Sequence, residues 1–300
     1  MKYLIIGAGG TGGSIAAFMT EAGKDATVIE KGEHLESIQK NGLKMETTSK
    51  GNHIVCPMKA ADMDYYNERP DIIFNCVKEY SLEDTIPFIK RVAHKDTVVI
   101  PIQNIYGTGG RMQELLPDLL VTDGCIYISA EIKEPGTIMQ AGDIFRVIYG
   151  VRHPEEYRPV LEWVAADLND SGITGIVSDN IRRDALQKFS YVSPMAACGV
   201  YYDINAGAAQ QEGKVRDTFI ALMREIDELA QAMDIHFAVD IVETNLKILD
   251  SLSPSASTSM QRDLKQGKNS EMNGLIFEVV RLGRKLGVNL PTYEMIAEKL

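Results

Sequence analysis

The sequence predicts an α/β protein in two parts, a parallel sheet with helices on both faces followed by an all-helical half. Three observations predict it. Short apolar runs alternate with helically spaced stretches between Tyr3 and Ile102, the rhythm of repeated β-α-β units. A glycine-rich turn, Gly7 to Gly12, separates the first apolar run from the first helical stretch. After about Asp179 the strand signals nearly vanish.

The elements follow in order. Tyr3–Ile6 is a short apolar run stopped by glycine, a buried strand, and Ser14–Ala22 has helical spacing. Ala26–Ile29 is the second strand, and His34–Asn41 a short helix ended by Gly42. Asp71–Val77, Leu82–Ala93 and Thr97–Ile102 repeat strand, helix, strand. Leu119–Ser129 reads as a further strand and its continuation. In Gly136–Gly150 two short runs flank Ala141-Gly142-Asp143, which predicts a hairpin appended to the sheet. Glu155–Leu168 is helical and Thr174–Val177 a last strand. Ile181–Ala197, Val215–Ala232, Phe237–Leu252 and Leu275–Leu286 are helices, with a Ser/Thr-rich loop at Ser251–Ser259. The expected domains are therefore residues 1–178 and 179–300.

The composition suits such a fold. Of 300 residues, 45% are hydrophobic and 24% charged, which excludes disordered, collagen-like and coiled-coil chains. The formal charge is −11, and no basic run exceeds Arg182-Arg183, so a nucleic-acid partner is not expected. Cys56, Cys76, Cys125 and Cys198 form no CxxC pair, and the five histidines form no HExxH. No metal or disulfide framework is expected; buried free thiols in a reducing cytoplasm are. The apolar run after Lys2 is too short for a signal-peptide core, and no stretch reaches the roughly 18 apolar residues of a membrane span.

Gly7-Ala8-Gly9-Gly10-Thr11-Gly12 fits G-x-G-x-x-G between strand and helix. There Gly7 permits the tight turn, Gly9 lets a pyrophosphate approach the backbone, and Gly12 packs helix on sheet. The helix N-terminus offers unpaired N–H groups to the phosphates. Glu30 ends the second strand, 18 residues past Gly12, where an acid accepts from ribose hydroxyls and favours NAD. Lys31 follows and could pair with a 2′-phosphate, favouring NADP.

Several stretches together resemble the ketopantoate reductase (2-dehydropantoate 2-reductase) family. They are Ile5 to Gly13, Lys31-Gly32-Glu33-His34-Leu35 with Asn41-Gly42-Leu43, and Cys76-Val77-Lys78. Ile102-Gln103-Asn104 with Gly107, and Pro135-Gly136-Thr137-Ile138, come next. The late ones are Gln187-Lys188-Phe189, Ser259 to Asp263, Gly267 to Glu271 and Arg281 to Val288.

The resemblance implies a Rossmann dinucleotide-binding domain, a helical domain like the C-terminal part of 6-phosphogluconate dehydrogenase, and an active site in the cleft between them. It implies hydride transfer from NADPH to a 2-keto acid, ketopantoate, in a cytoplasmic enzyme of pantothenate biosynthesis. By position Lys188 is the general acid. Reduction of a ketone builds charge on oxygen, and an ammonium can both stabilise and protonate it. Glu271 matches the glutamate that holds the lysine and the substrate hydroxyl. Asn104 matches the asparagine that places nicotinamide and lysine, and Lys78 a lysine near cofactor and substrate. Ser259 matches the serine on the substrate carboxylate; an N-cap role would explain it equally well.

The sequence also departs from the family. Val192 stands where an asparagine usually follows the lysine by four, and the Lys188–Pro194 segment is three residues short. A later asparagine equivalent would fall near Asp203 or Asn205. Ala256 replaces another asparagine, Ile105-Tyr106 follows Asn104 in place of glycine, and Leu186 replaces a tryptophan. Asparagines read substrate hydroxyls and carboxylates, so their loss points to a different 2-keto acid. An opine-type reductase and a non-catalytic cofactor sensor are the alternatives. The family favours NADP(H), and Lys31 agrees while Glu30 does not. A homodimer stays open: the apolar face of Phe237–Leu252 would serve as a dimer face or, as such faces more often do, as core.

Overall fold

The computed structural model describes all of residues 1–300. It contains two compact units, Met1–Gln103 with Gly107–Ile181, and Asn104–Tyr106 with Arg182–Leu300.

The first unit begins with β1 (Lys2–Ile6), α1 (Gly10–Glu21), β2 (Asp25–Ile29) and α2 (Gly32–Asn41). A hairpin follows, β3 (Leu43–Thr47) and β4 (Gly51–Val55), then β5 (Lys59–Ala61) and β6 (Ile72–Asn75). The unit continues with α3 (Ile86–Val92), β7 (Val98–Pro101), α4 (Thr108–Leu115) and β8 (Leu120–Val121). It closes with β9 (Asp123–Glu134), β10 (Thr137–Gly150), α5 (Val160–Asp170) and β11 (Thr174–Val177).

Six of these strands form a wholly parallel sheet in the order β5-β2-β1-β6-β7-β8. Side chains alternate across it. Tyr3 and Ile5 join the core shared with α1 and α5, while Leu4 and Ile6 join the one with Phe88, Ile89 and Met112 of α3 and α4. Both faces are buried, which is why β1 reads as a continuous apolar run. This is the doubly wound arrangement of a Rossmann domain, as expected from the sequence.

The other strands correct the sequence reading. Leu119–Ser129 is not one strand. β8 belongs to the parallel sheet, whereas β9 belongs to a second, five-stranded sheet with β10, β11, β3 and β4. The Gly136–Gly150 hairpin is also relocated: Thr137–Gly150 is one long strand antiparallel to β9, and the turn lies at Pro135-Gly136. Ala141-Gly142-Asp143 sits where the register shifts between Ala141 and Arg146, an irregularity inside the strand. The β3–β4 hairpin escaped the reading because alternation of buried and half-exposed residues, as in Leu43–Thr47, gives a weak apolar signal.

The second sheet explains the small residues of α1. Every residue from Gly12 to Met19 is buried, because α1 lies between the two sheets. A Cβ on Gly10 would meet the Ala130 carbonyl oxygen of β9 at 2.4 Å, and one on Gly13 would meet Ile138 of β10 at 2.2 Å.

The second unit is helical: α6 (Ile181–Tyr201, its first residue in the other unit), α7 (Ala206–Gln210), α8 (Lys214–Ala232), α9 (Ile241–Ser251), α10 (Ser259–Lys265), α11 (Glu278–Leu286) and α12 (Pro291–Ala297). The helix expected from Phe237 starts at Ile241, because Asp240 caps it by accepting from the Glu243 N–H at 2.9 Å. The stretch Asn273–Phe277 is a π-turn leading into α11. The core joins Phe219, Leu222, Met223 and Ile226 of α8 to Met195–Cys198 of α6 and to Leu275, Ile276 and Tyr293. Phe237–Leu252 contributes Leu249 to that core. No helix is long and apolar enough to cross a membrane. All four thiols are unpaired, and Cys56 is exposed rather than buried as expected.

Candidate active site

In the first unit the glycine loop has the geometry that a pyrophosphate needs. Gly7 has φ +93°, and a Cβ on Gly12 would lie 2.0 Å from the Gly7 carbonyl oxygen, so neither position takes a side chain without strain. Gly9 has nothing within 4 Å of the Cβ position, which leaves its backbone open to a ligand. Gly9 is the N-cap of α1 without a side-chain cap, and the first turn Gly10-Thr11-Gly12 carries no acid to offset the helix dipole. Cys76 packs against this turn; burial pushes its thiol up, so it stays neutral and behaves as a small apolar group.

The Ala8 peptide is held on both sides. Its N–H donates to Glu30 Oε2 at 2.8 Å, and its carbonyl meets His34 Nε2 at 2.9 Å. Glu30 Oε1 also accepts from the Lys31 N–H at 3.0 Å. The Glu30 carboxylate is thus fixed at the carboxyl end of β2, and the Lys31 side chain is exposed. His34 is buried, and its Nδ1 accepts from the Gly136 N–H at 2.9 Å. A backbone N–H can only donate, so Nε2 carries the proton and donates to Ala8. His34 therefore joins the glycine loop to the β9–β10 turn. Sequence reasoning missed it: 102 residues separate the partners, and no spacing marks such a pair.

Lys78 is half-buried just after β6. Its loop is tied by Gln103 Nε2, which donates to the carbonyls of Asn75 at 2.8 Å and Val77 at 3.1 Å. The following Glu79 is buried and paired with Arg111 at 2.7 Å.

In the second unit the structure brings Asn104 and Lys188 together: Lys188 Nζ donates to Asn104 Oδ1 at 2.6 Å. Lys188 is half-buried on α6 between the buried Leu186 and Phe189. Asn104 is carried by Ile105, 5% exposed and part of the helical core, and by Tyr106, whose ring lies 6.3 Å from that of Phe189. Burying one isoleucine contributes roughly 1.5–3 kcal/mol toward holding the segment. Glu271 is 2% exposed and lies two residues before the π-turn, a local geometry frequent at functional sites.

The remaining expected residues lie elsewhere in this unit. Ser259 is the first residue of α10, but the cap is Thr258, whose side chain accepts from the Gln261 N–H while Gln261 returns the bond. Asp203 and Asn205 are exposed beyond the end of α6. The helix rise from Lys188 to Tyr201 is about 20 Å, so they do not join the Lys188 cluster. Val192, one turn after Lys188, is half-buried against the helical core, as is Ala256.

Fold and site together define a two-unit protein with a dinucleotide-type glycine loop and a lysine–asparagine pair. Residues 3–153 match the family described as "Ketopantoate reductase PanE/ApbA", and residues 180–300 match its C-terminal part. The chain belongs to the ketopantoate reductase family, a family of oxidoreductases, as its sequence resemblance implies. The Bacillus subtilis protein "Uncharacterized oxidoreductase YkpB" is 24% identical, across 100% of this chain and 98% of its own. The 2-dehydropantoate 2-reductase of Pyrococcus horikoshii is 27% identical, covering 94% of this chain and 91% of that one. Among solved structures, a D-mandelate dehydrogenase with NADH and anilino(oxo)acetate shares the fold at a TM-score of 0.87 and 20% identity, covering 99% and 96%.

Proposed function

We propose that this protein reduces a 2-keto acid to the 2-hydroxy acid with a nicotinamide dinucleotide, ketopantoate to pantoate being the first reaction to test. The observation that carries this reading is the Lys188–Asn104 hydrogen bond at 2.6 Å. When bound, the dinucleotide supplies the hydride that adds to the carbonyl carbon. Lys188 stabilises the charge developing on the carbonyl oxygen and gives it a proton. Asn104 accepts from the ammonium and so fixes which of its three protons face the substrate. Glu271, Lys78 and Ser259 are proposed as substrate contacts; Asp203 and Asn205, beyond the far end of α6 from Lys188, are not. Pantoate formation would place the enzyme in pantothenate biosynthesis, in the cytoplasm.

The glycine loop Gly7–Gly12 would hold the pyrophosphate and Glu30 the adenosine ribose. Lys31 makes NADP(H) the expectation from sequence. The geometry of Glu30 supports NAD(H) instead. Its carboxylate accepts from the Ala8 and Lys31 N–H groups and cannot turn away without losing both bonds. A fixed carboxylate accepts from ribose hydroxyls and repels a 2′-phosphate. The solved neighbour with NADH is in keeping with this.

A second reading keeps the chemistry and changes the substrate. Val192 puts an apolar side chain one turn from Lys188 where the family's asparagine would stand, which suits a 2-keto acid with an apolar side chain. The solved neighbour with anilino(oxo)acetate is in keeping with this reading. The test is cofactor oxidation with ketopantoate and a panel of branched and aromatic 2-keto acids, NADH and NADPH in parallel, on wild type and Lys188→Ala. Turnover lost by on the order of 100-fold or more in kcat is expected of the variant. A variant with wild-type kcat would remove Lys188 from the mechanism.

A further inference from the structure

In the segment Asn104–Tyr106 the asparagine is followed by two bulky residues, Ile105 and Tyr106. The three residues leave the first unit between Gln103 and Gly107 and pack as part of the second. The reason lies in Ile105, whose side chain sits on Gly274, the second residue of the π-turn. A Cβ built on Gly274 would lie 2.8 Å from Ile105 Cδ1, 2.9 Å from Cγ1 and 3.0 Å from Cγ2. Both branches of the isoleucine contact the same hydrogen-only position, so rotating one branch away brings the other in. The π-turn is itself held, because the Leu275 carbonyl accepts from Ser193 Oγ on α6 at 2.6 Å. Ser193 also bonds the buried Tyr293 hydroxyl at 2.6 Å. Glu271 precedes this turn and Lys188 lies on the same helix as Ser193.

We infer that Ile105 and Gly274 are a matched positioning pair that sets the Asn104 side chain on Lys188 and thereby aims the proton donor. Neither residue touches substrate in this account. Ile105 is a β-branched peg with few rotamers, Gly274 is its seat, and the displacement of one is transmitted through one peptide bond to Asn104. The Lys188–Asn104 bond is 2.6 Å long, so a shift of the peg by even half an ångström weakens it. Misplacement of a catalytic group by about 1 Å costs on the order of 100-fold in rate.

The inference rests on Lys188 being the proton donor, and the experiment separates the two. Gly274→Ala, Ile105→Ala, the Gly274→Ala/Ile105→Ala pair, Asn104→Ala, and Asn104→Ala with Gly274→Ala are compared with wild type and Lys188→Ala. Three readouts are taken: kcat and KM for the keto acid and cofactor, the pH profile of kcat, and the pH dependence of Lys188 acetylation followed by mass spectrometry. Gly274→Ala is expected to lower kcat about tenfold or more, leave the cofactor KM within about twofold, and shift the Lys188 acetylation profile. Trimming the peg should rescue it, so the Gly274→Ala/Ile105→Ala pair is faster than Gly274→Ala alone. In the Asn104→Ala background Gly274→Ala should cost nothing more. Independent losses in that background, or no rescue by Ile105→Ala, overturn the positioning role. If Gly274→Ala does not fold, Ile105→Ala alone must still shift the acetylation profile, and an unchanged profile overturns the inference. Wild-type kcat in Lys188→Ala sinks the functional reading, while the acetylation profile still decides the positioning.

Discussion

Replacing His34 tests whether the glycine loop is held by the contact that the structure shows. His34→Phe keeps an aromatic ring of similar size in a buried site and removes both ring nitrogens. The Ala8 carbonyl and the Gly136 N–H then lose their partners at 2.9 Å on either side. A buried backbone group left unpaired costs about 1–3 kcal/mol, so the two together cost about 2–6 kcal/mol. In a unit of this size about 1 kcal/mol moves the midpoint by roughly 2–4 °C, so Tm should fall by about 4–24 °C. The assay is thermal and urea unfolding, with fluorescence titration of NADH alongside. The loosened Ala8 peptide should also weaken cofactor binding by on the order of tenfold, about 1.4 kcal/mol. His34→Asn can restore an acceptor for Gly136, and His34→Gln a donor for Ala8, so each should recover part of the loss. A His34→Phe protein with wild-type Tm and cofactor affinity would refute the reasoning.

Three other outcomes are expected. Glu30→Gln keeps an acceptor for the Ala8 N–H but drops the charge, so the ratio of kcat/KM with NADPH to that with NADH should rise about tenfold; an unchanged ratio removes Glu30 as the discriminator. Val192→Asn returns an amide one turn from Lys188 and should raise kcat/KM for ketopantoate relative to apolar 2-keto acids, measured as a ratio on one preparation. At Asp167 burial pushes the carboxyl up, but hydrogen bonds from Lys24 and Tyr3 and the Lys24 charge outweigh it, and the net shift is downward. A lowered folded pKa contributes stability that is present above the unfolded value and lost as pH falls through the folded one. The stability gap between wild type and Asp167→Asn, read by urea unfolding, should therefore be full at pH 7 and shrink below about pH 4; a gap independent of pH would be the contrary result.

The sequence alone determined the parts whose signals are local. Apolar runs placed β1, β2, β6 and β7 of the parallel sheet, because strands buried on both faces need no distant partner to be recognised, whereas the three-residue edge strand β5 went unread. G-x-G-x-x-G between strand and helix placed the loop, since only backbone geometry demands those glycines. The order of later motifs pointed to the family and to Lys188 and Asn104, 84 residues apart yet joined by one hydrogen bond.

Tertiary structure decided what depends on pairing across the chain. β3 and β4 have half-exposed faces and weak apolar patterns, and only pairing with β10 reveals them as a second sheet. That sheet explains Gly10 and Gly13, which the motif alone leaves as arbitrary positions. The turn at Pro135-Gly136 takes its place from His34, and the seat of Asn104 from Ile105 against Gly274. In each case the contact joins groups about ninety residues or more apart in the chain. Neither propensity nor periodicity records such a meeting, because both are properties of neighbours in sequence and the contact energy belongs to neighbours in space.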